Sequence, residues 1–145
     1  MAFLIGIDPG DHTGVAVWNT VERELTAVRT MQLHQALKFV SEIIDDAEQT
    51  HTLVEVHFED ARQRRWLPME KSASDYRGKL MGAGSVKRDC TIWEEFLTDQ
   101  GVPFHAIPPR KGATKWAEDY FKRITGWKGR TSNHARDAAA LVYGR

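Results

Sequence analysis

The spacing of apolar positions changes several times along the chain, and each change marks an element. Residues 3–8, Phe-Leu-Ile-Gly-Ile-Asp, are an apolar run that predicts a buried strand. Pro9, Gly10 and Gly14 punctuate a turn, and residues 14–19, with Val15, Val17 and Trp18, predict a second strand. Residues 25–31 predict a third, completing an antiparallel meander. From 32 to 49 the period becomes helical, with Leu33, Leu37, Val40 and Ile44 on one stripe. Residues 52–59 then alternate, Val54, Val56 and Phe58 against Glu55, His57 and Glu59, which is the period of a strand.

Residues 61–78 are polar and aperiodic, and are expected as a long loop of the kind that carries function or is disordered. A helix is expected over 85–100, with Val86, Cys90, Trp93 and Leu97 as its core stripe and Gly101 beyond its end. Residues 102–107 predict a short strand stopped by Pro108-Pro109. Trp116, Tyr120 and Ile124 mark a helix ending near Gly126, and a last helix starts at the capping pair Ser132-Asn133 and runs to Tyr143. A meander followed by strand–helix alternation implies one α/β domain over residues 1–145, with a mixed five-stranded sheet flanked by helices.

Composition narrows the class. The 145 residues are 41% hydrophobic and 10% aromatic, enough for a core and against wholesale disorder. The longest apolar runs are too short to span a bilayer, and the first residues lack the basic segment of a secretory signal. Cys90 is the single cysteine, so no internal disulfide forms; the expectation is a reduced, cytoplasmic protein with no membrane partner. The net charge is zero, but residues 1–75 hold 13 acidic and 7 basic side chains while residues 76–145 hold 7 and 13. One half can therefore gather carboxylates while the other faces a polyanion.

Asp8 ends the first strand and Glu59 the fourth, while His134 and Asp137 stand three apart on one face of the last helix. Taken singly each has a plain structural use: Asp8 as a turn-capping residue, Glu59 as a solvated strand end with Asp60 able to replace it, Asp137 in the first turn of a helix. Taken together, if the first and fourth strands are neighbours and the last helix crosses their ends, four ligand-type side chains converge. Like charges gathered without a cation repel, and an oxygen-rich set with one imidazole suits Mg²⁺ or Mn²⁺ better than zinc.

These residues carry a resemblance. Ile5-Gly6-Ile7-Asp8-Pro9-Gly10 with Thr13-Gly14 resembles the opening motif of the RuvC-type Holliday junction resolvases, within the ribonuclease H-like superfamily. Phe58-Glu59 resembles that family's acidic close of the fourth strand, and His134-Ala135-Arg136-Asp137-Ala138-Ala139-Ala140-Leu141 its C-terminal helix. The resemblance implies a ribonuclease H-like fold and Asp8, Glu59, His134 and Asp137 as catalytic ligands of Mg²⁺, with Mn²⁺ able to substitute. Two ions would flank a scissile phosphate, and His134 would serve as ligand or orient the attacking water. It also implies branched DNA as substrate and a homodimer, with residues 85–100 at the interface, since two symmetric strands need two sites. The chain is shorter than a cellular resolvase of this type, and residues 110–115 match the family's basic region only loosely. A phage or prophage variant fits that pattern.

Phosphate contacts are expected from Arg62, Arg64, Arg65, Lys79, Lys87, Arg110, Lys111 and Lys115, with Trp66 placed to stack on or wedge into an opened base step. Alternatives within the fold are a nuclease acting on flaps, duplex DNA or RNA–DNA hybrid, and a non-catalytic nucleic-acid binder. Sugar-kinase and actin-like ATPases also open with a strand, an Asp and a Gly/Thr turn, but they need two such lobes and this chain supplies one.

Overall fold

A computed structural model describes residues 2–65, 73–110 and 115–145, so Trp66 and Lys111 lie outside the described residues. Its strands are β1 (Ala2–Asp8), β2 (His12–Asn19), β3 (Glu24–Gln32), β4 (Leu53–Glu59) and β5 (Phe104–Ile107). Its helices are α1 (Leu33–Gln49), α2 (Ala73–Gln100), α3 (Glu118–Thr125) and α4 (Asn133–Ala140), with a 3₁₀ turn at Ala61–Gln63. The strands form one mixed sheet in the order β3-β2-β1-β4-β5. Pairing is antiparallel for β1/β2 and β2/β3 and parallel for β1/β4 and β4/β5, which is the ribonuclease H-like arrangement expected from the sequence.

Strand pleating divides the apolar residues between the two faces. On one, Ile5, Ile7, Val15, Val17, Val56 and Phe58 pack under Val40 and Ile44 of α1 and under Cys90, Trp93 and Leu97 of α2. On the other, Leu4, Ala16 and Trp18 meet Phe121 of α3 and Ala135, Ala138 and Ala139 of α4. Cys90 is fully buried, and burial raises its thiol to about 11, so it packs rather than reacts. Among the described residues no helix is long and apolar enough to cross a membrane.

Several boundaries differ from expectation, each for a local reason. The loop foreseen over 61–78 is in part helix, because α2 begins at Ala73. Residues 74–85 show almost no apolar stripe and are largely exposed, so periodicity could not reveal them. Once the half from Val86 to Leu97 is anchored in the core, adding turns N-terminally gains one hydrogen bond per residue fixed, and Asp75 in the first turn complements the dipole. That anchoring also buries Trp93 in the core. β5 starts at Phe104 because Pro103 has no N–H, although its carbonyl accepts from Val56 N at 3.0 Å. α3 starts after Trp116, whose carbonyl accepts from the Arg136 guanidinium. α4 ends at Ala140, and the chain tightens into i→i+3 bonds from Leu141 to Ala138 and from Val142 to Ala139.

Candidate functional site

Parallel pairing of β1 and β4 brings their C-terminal residues, Asp8 and Glu59, to the same edge of the sheet. α4 reaches that edge because two side chains are missing beneath it. A Cβ on Gly6 would stand 2.0 Å from the Ala138 carbonyl oxygen, and one on Gly14 would stand 1.9 Å from that of His134. Only glycine lets the helix lie on the strand backbone this closely. Ala135, Ala138 and Ala139, all fully buried, complete the contact.

The start of α4 is fixed separately. Ser132 Oγ accepts from Ala135 N at 3.1 Å, a standard N-cap. The buried Arg136 donates from Nε to the Trp116 carbonyl at 2.7 Å and from Nη1 to the Thr131 carbonyl at 2.8 Å, tying the segments before α3 and α4 together. The buried Thr13 hydroxyl donates to the Gly10 carbonyl at 2.8 Å and holds the turn that follows Asp8. With both sides fixed, His134 Nδ1 lies 3.0 Å from Asp8 Oδ2. Asp137 is three residues further along α4, on the same face.

The electrostatics are those of crowded carboxylates. Burial pushes the Asp8 carboxyl up to about 6; the His134 hydrogen bond pulls it down, and repulsion from Glu59 and Asp137 adds to the rise. Glu59 is raised as well, by burial first and then by Asp137, against the attraction of Lys115 and Arg64. Lys115 Nζ sits 2.6 Å from Asp137 Oδ2, and that hydrogen bond raises its own pKa. A cationic group therefore already stands among the acids, where a divalent ion would place its charge.

Asp8, Glu59, His134, Asp137 and Lys115 all line one cavity of about 1080 Å³, whose walls come from the segment after β4, from α2 and from the Pro108–Arg110 segment. Among the described residues, eight Lys or Arg side chains border it against three carboxylates: Arg64, Arg65, Lys79, Lys87, Arg110, Lys115, Arg136 and Arg145. Of the described residues named from the sequence for phosphate contact, all but Arg62 are among them. Arg62 is engaged elsewhere, with Nε 2.8 Å from Asp60 Oδ1, Nη2 2.9 Å from Asp60 Oδ2, and a further ion pair to Glu94.

Those contacts also separate Glu59 from Asp60. Asp60 is buried, which would raise its pKa, yet the bonds from Arg62 and Gln63 hold it below the usual carboxylate range; it faces Arg62, and Glu59 faces the cavity. Sequence reasoning missed three parts of this site. Lys115 was expected only at phosphate, and its pairing with Asp137 depends on a loop path that no periodicity encodes. Arg136 and the close approach at Gly6 were also missed, whereas the turn glycines, Gly14 among them, were expected to admit close backbone; Gly6 sits in the same motif, and that was the available signal.

A second group lies further along β4. Glu55, His57 and His105 are the only three ligand-type side chains, among the described residues, whose donor atoms all fall within 4.8 Å of one another. The donor atoms of the Asp8 group are not gathered this tightly. No protein-family model and no curated protein matches the chain.

Proposed function

We propose that this chain is a metal-dependent endonuclease of the ribonuclease H-like type, acting on branched DNA in the manner of RuvC-like junction resolvases. The observation that carries the proposal is one cavity lined by three carboxylates and an imidazole together with several Lys and Arg side chains. The carboxylates repel a phosphodiester unless cations intervene, whereas the basic side chains attract the flanking phosphates. That combination is what phosphodiester hydrolysis on a polyanion needs, and it is poorly suited to a small anionic metabolite.

The donor set fits a hard divalent cation. Three carboxylates and one imidazole match Mg²⁺ or Mn²⁺, and Asp8, raised by burial first and then by Glu59 and Asp137, is a carboxylate that a bound cation would relieve. Asp8, Glu59, Asp137 and His134 would hold the metal. Bound there, it supplies Lewis acidity toward the scissile phosphate and lowers the pKa of a water. The protein's own part is positional. α4 sets His134 against Asp8, where the imidazole would orient a ligand carboxylate or, if not itself a ligand, take a proton from water, and Lys115, paired with Asp137, would be placed to contact phosphate once a metal holds Asp137. Arg64, Arg65, Lys79, Lys87 and Arg110 contact backbone phosphates without reading sequence.

A homodimer belongs to this proposal, since paired nicks in a junction need two sites related by a twofold axis. Tyr76, Leu80 and Met81, exposed on the first half of α2, offer apolar surface for it. The test incubates wild type and Asp8→Asn with labelled four-way junction, flap, duplex and RNA–DNA hybrid, with and without Mg²⁺ or Mn²⁺. Metal-dependent symmetric nicks in the junction, abolished by Asp8→Asn, are expected. Cleavage confined to another substrate reassigns the specificity, and binding without metal-dependent cleavage of any substrate removes the enzyme reading.

A further inference from the structure

Glu55 and His57 are two residues apart on β4, so both project from the face that also carries Glu59. Parallel pairing sets His105 of β5 directly opposite His57. Both imidazoles turn Nε2 to the same carboxylate oxygen: His57 Nε2 is 2.7 Å and His105 Nε2 3.1 Å from Glu55 Oε1, and the ring centroids are 4.9 Å apart. The second nitrogen of His57, Nδ1, is buried with no hydrogen-bond partner.

We propose that Glu55, His57 and His105 form a binding site for a transition-metal ion of the Zn²⁺ class. Two imidazoles and one carboxylate are the donor set of an open zinc-type site; hard ions such as Mg²⁺ seek oxygen ligands instead. Tetrahedral bonds of about 2.0–2.2 Å separate neighbouring donor atoms by roughly 3.4 Å. The observed 2.7 and 3.1 Å therefore need to open by about 0.7 and 0.3 Å. His57 is fixed by burial, while the side chains of Glu55 and His105 are 39% and 56% exposed and free to make that adjustment. The exposed side leaves a fourth position for water or an exogenous ligand. Binding displaces the protons shared between the imidazoles and the carboxylate.

The site does not depend on the nuclease assignment. It differs in donor chemistry, and Glu55 lies four residues, about 13 Å, along β4 from Glu59. Its structural effect is to clip β5, at the sheet edge, to β4, and so to steady the Pro108–Arg110 segment that borders the cavity.

The test uses the tag-free full chain, stripped with chelator and titrated with Zn²⁺ against a chromophoric competitor, with bound metal counted after equilibrium dialysis. An Asp8→Asn/Asp137→Asn background weakens the other cluster, so failure here and failure of the nuclease reading are distinguishable. That background should retain one Zn²⁺ per chain. Adding His105→Ala, at an exposed position, should weaken binding at least about 100-fold, because even residues that only support a ligand cost 10–100-fold. Glu55→Gln should weaken it in the same direction, and Co²⁺ bound in place of Zn²⁺ should lose its visible low-coordinate spectrum in the His105→Ala variant. Equal Zn²⁺ affinity with and without His105, or no Zn²⁺ retained by the background variant, overturns the proposal.

Discussion

Replacing Asp8 with asparagine should make the metal-free protein more stable. The folded state holds this carboxyl at about 6 against an ordinary 3.8, a rise rather than the usual carboxylate fall. Each pKa unit is worth about 1.4 kcal/mol, so ionised Asp8 costs the fold about 3 kcal/mol relative to its protonated form. The sign follows from proton counting. Between about pH 4 and pH 6 the native state binds more protons than the unfolded chain, so stability falls as pH rises through that window. The penalty is absent below it and complete above it. Asparagine carries no charge at any pH and keeps an acceptor for His134.

Thermal unfolding in chelator should find wild type and Asp8→Asn alike near pH 4, with a gap opening to about 2–3 kcal/mol by about pH 7.5. That gap corresponds to roughly 5–10 °C in Tm. Adding Mg²⁺ at a hundredfold excess over Kd should return about 2.7 kcal/mol to wild type and little to the variant, closing the gap. An asparagine variant no more stable than wild type in chelator near neutral pH, or a difference independent of pH, refutes the reasoning.

Other expectations follow from the same geometry. Gly14→Ala places a methyl 1.9 Å from the His134 carbonyl oxygen, so it should cost about 3 kcal/mol in denaturant melts and weaken Mg²⁺ binding by displacing α4. Lys115→Met removes the cation paired with Asp137; calorimetry should record tighter Mg²⁺ binding, while filter binding records weaker DNA affinity. Six described Lys and Arg side chains named for phosphate contact border the cavity, so log K for junction binding should fall against log salt with a slope of about −5, and Lys87→Ala should reduce that slope by about 1. Cys90 should resist thiol reagents until the chain unfolds, because its thiol is buried and its pKa is raised to about 11.

What could be read from the sequence follows a physical division. Strands and helices whose apolar residues face a core announce themselves by period, and β1 to β4, α1 and the anchored half of α2 were legible for that reason. The convergence of Asp8, Glu59, His134 and Asp137 was legible because Asp8 and Glu59 end strands and His134 starts a helix on which Asp137 follows one turn later, where the backbone order already limits position. The exposed start of α2 was not, since a helix that buries little leaves no stripe. The Lys115–Asp137 pair, the diversion of Arg62 to Asp60 and Glu94, and the meeting of His57 with His105 depend on loop paths and strand register. Those are set by the assembled fold and not by any local pattern.

The contact of α4 with β1 and β2 is backbone on backbone, and this governs how the protein can vary. The gap between Asp8 and His134 is set by backbone meeting backbone and not by the length of an apolar side chain. Positions 6 and 14 have no latitude: their permitted alphabet is one letter, and the smallest step away from it lifts the helix and spoils the spacing of the acids. The gauge that sets this site consists of two hydrogen atoms where other residues carry a carbon.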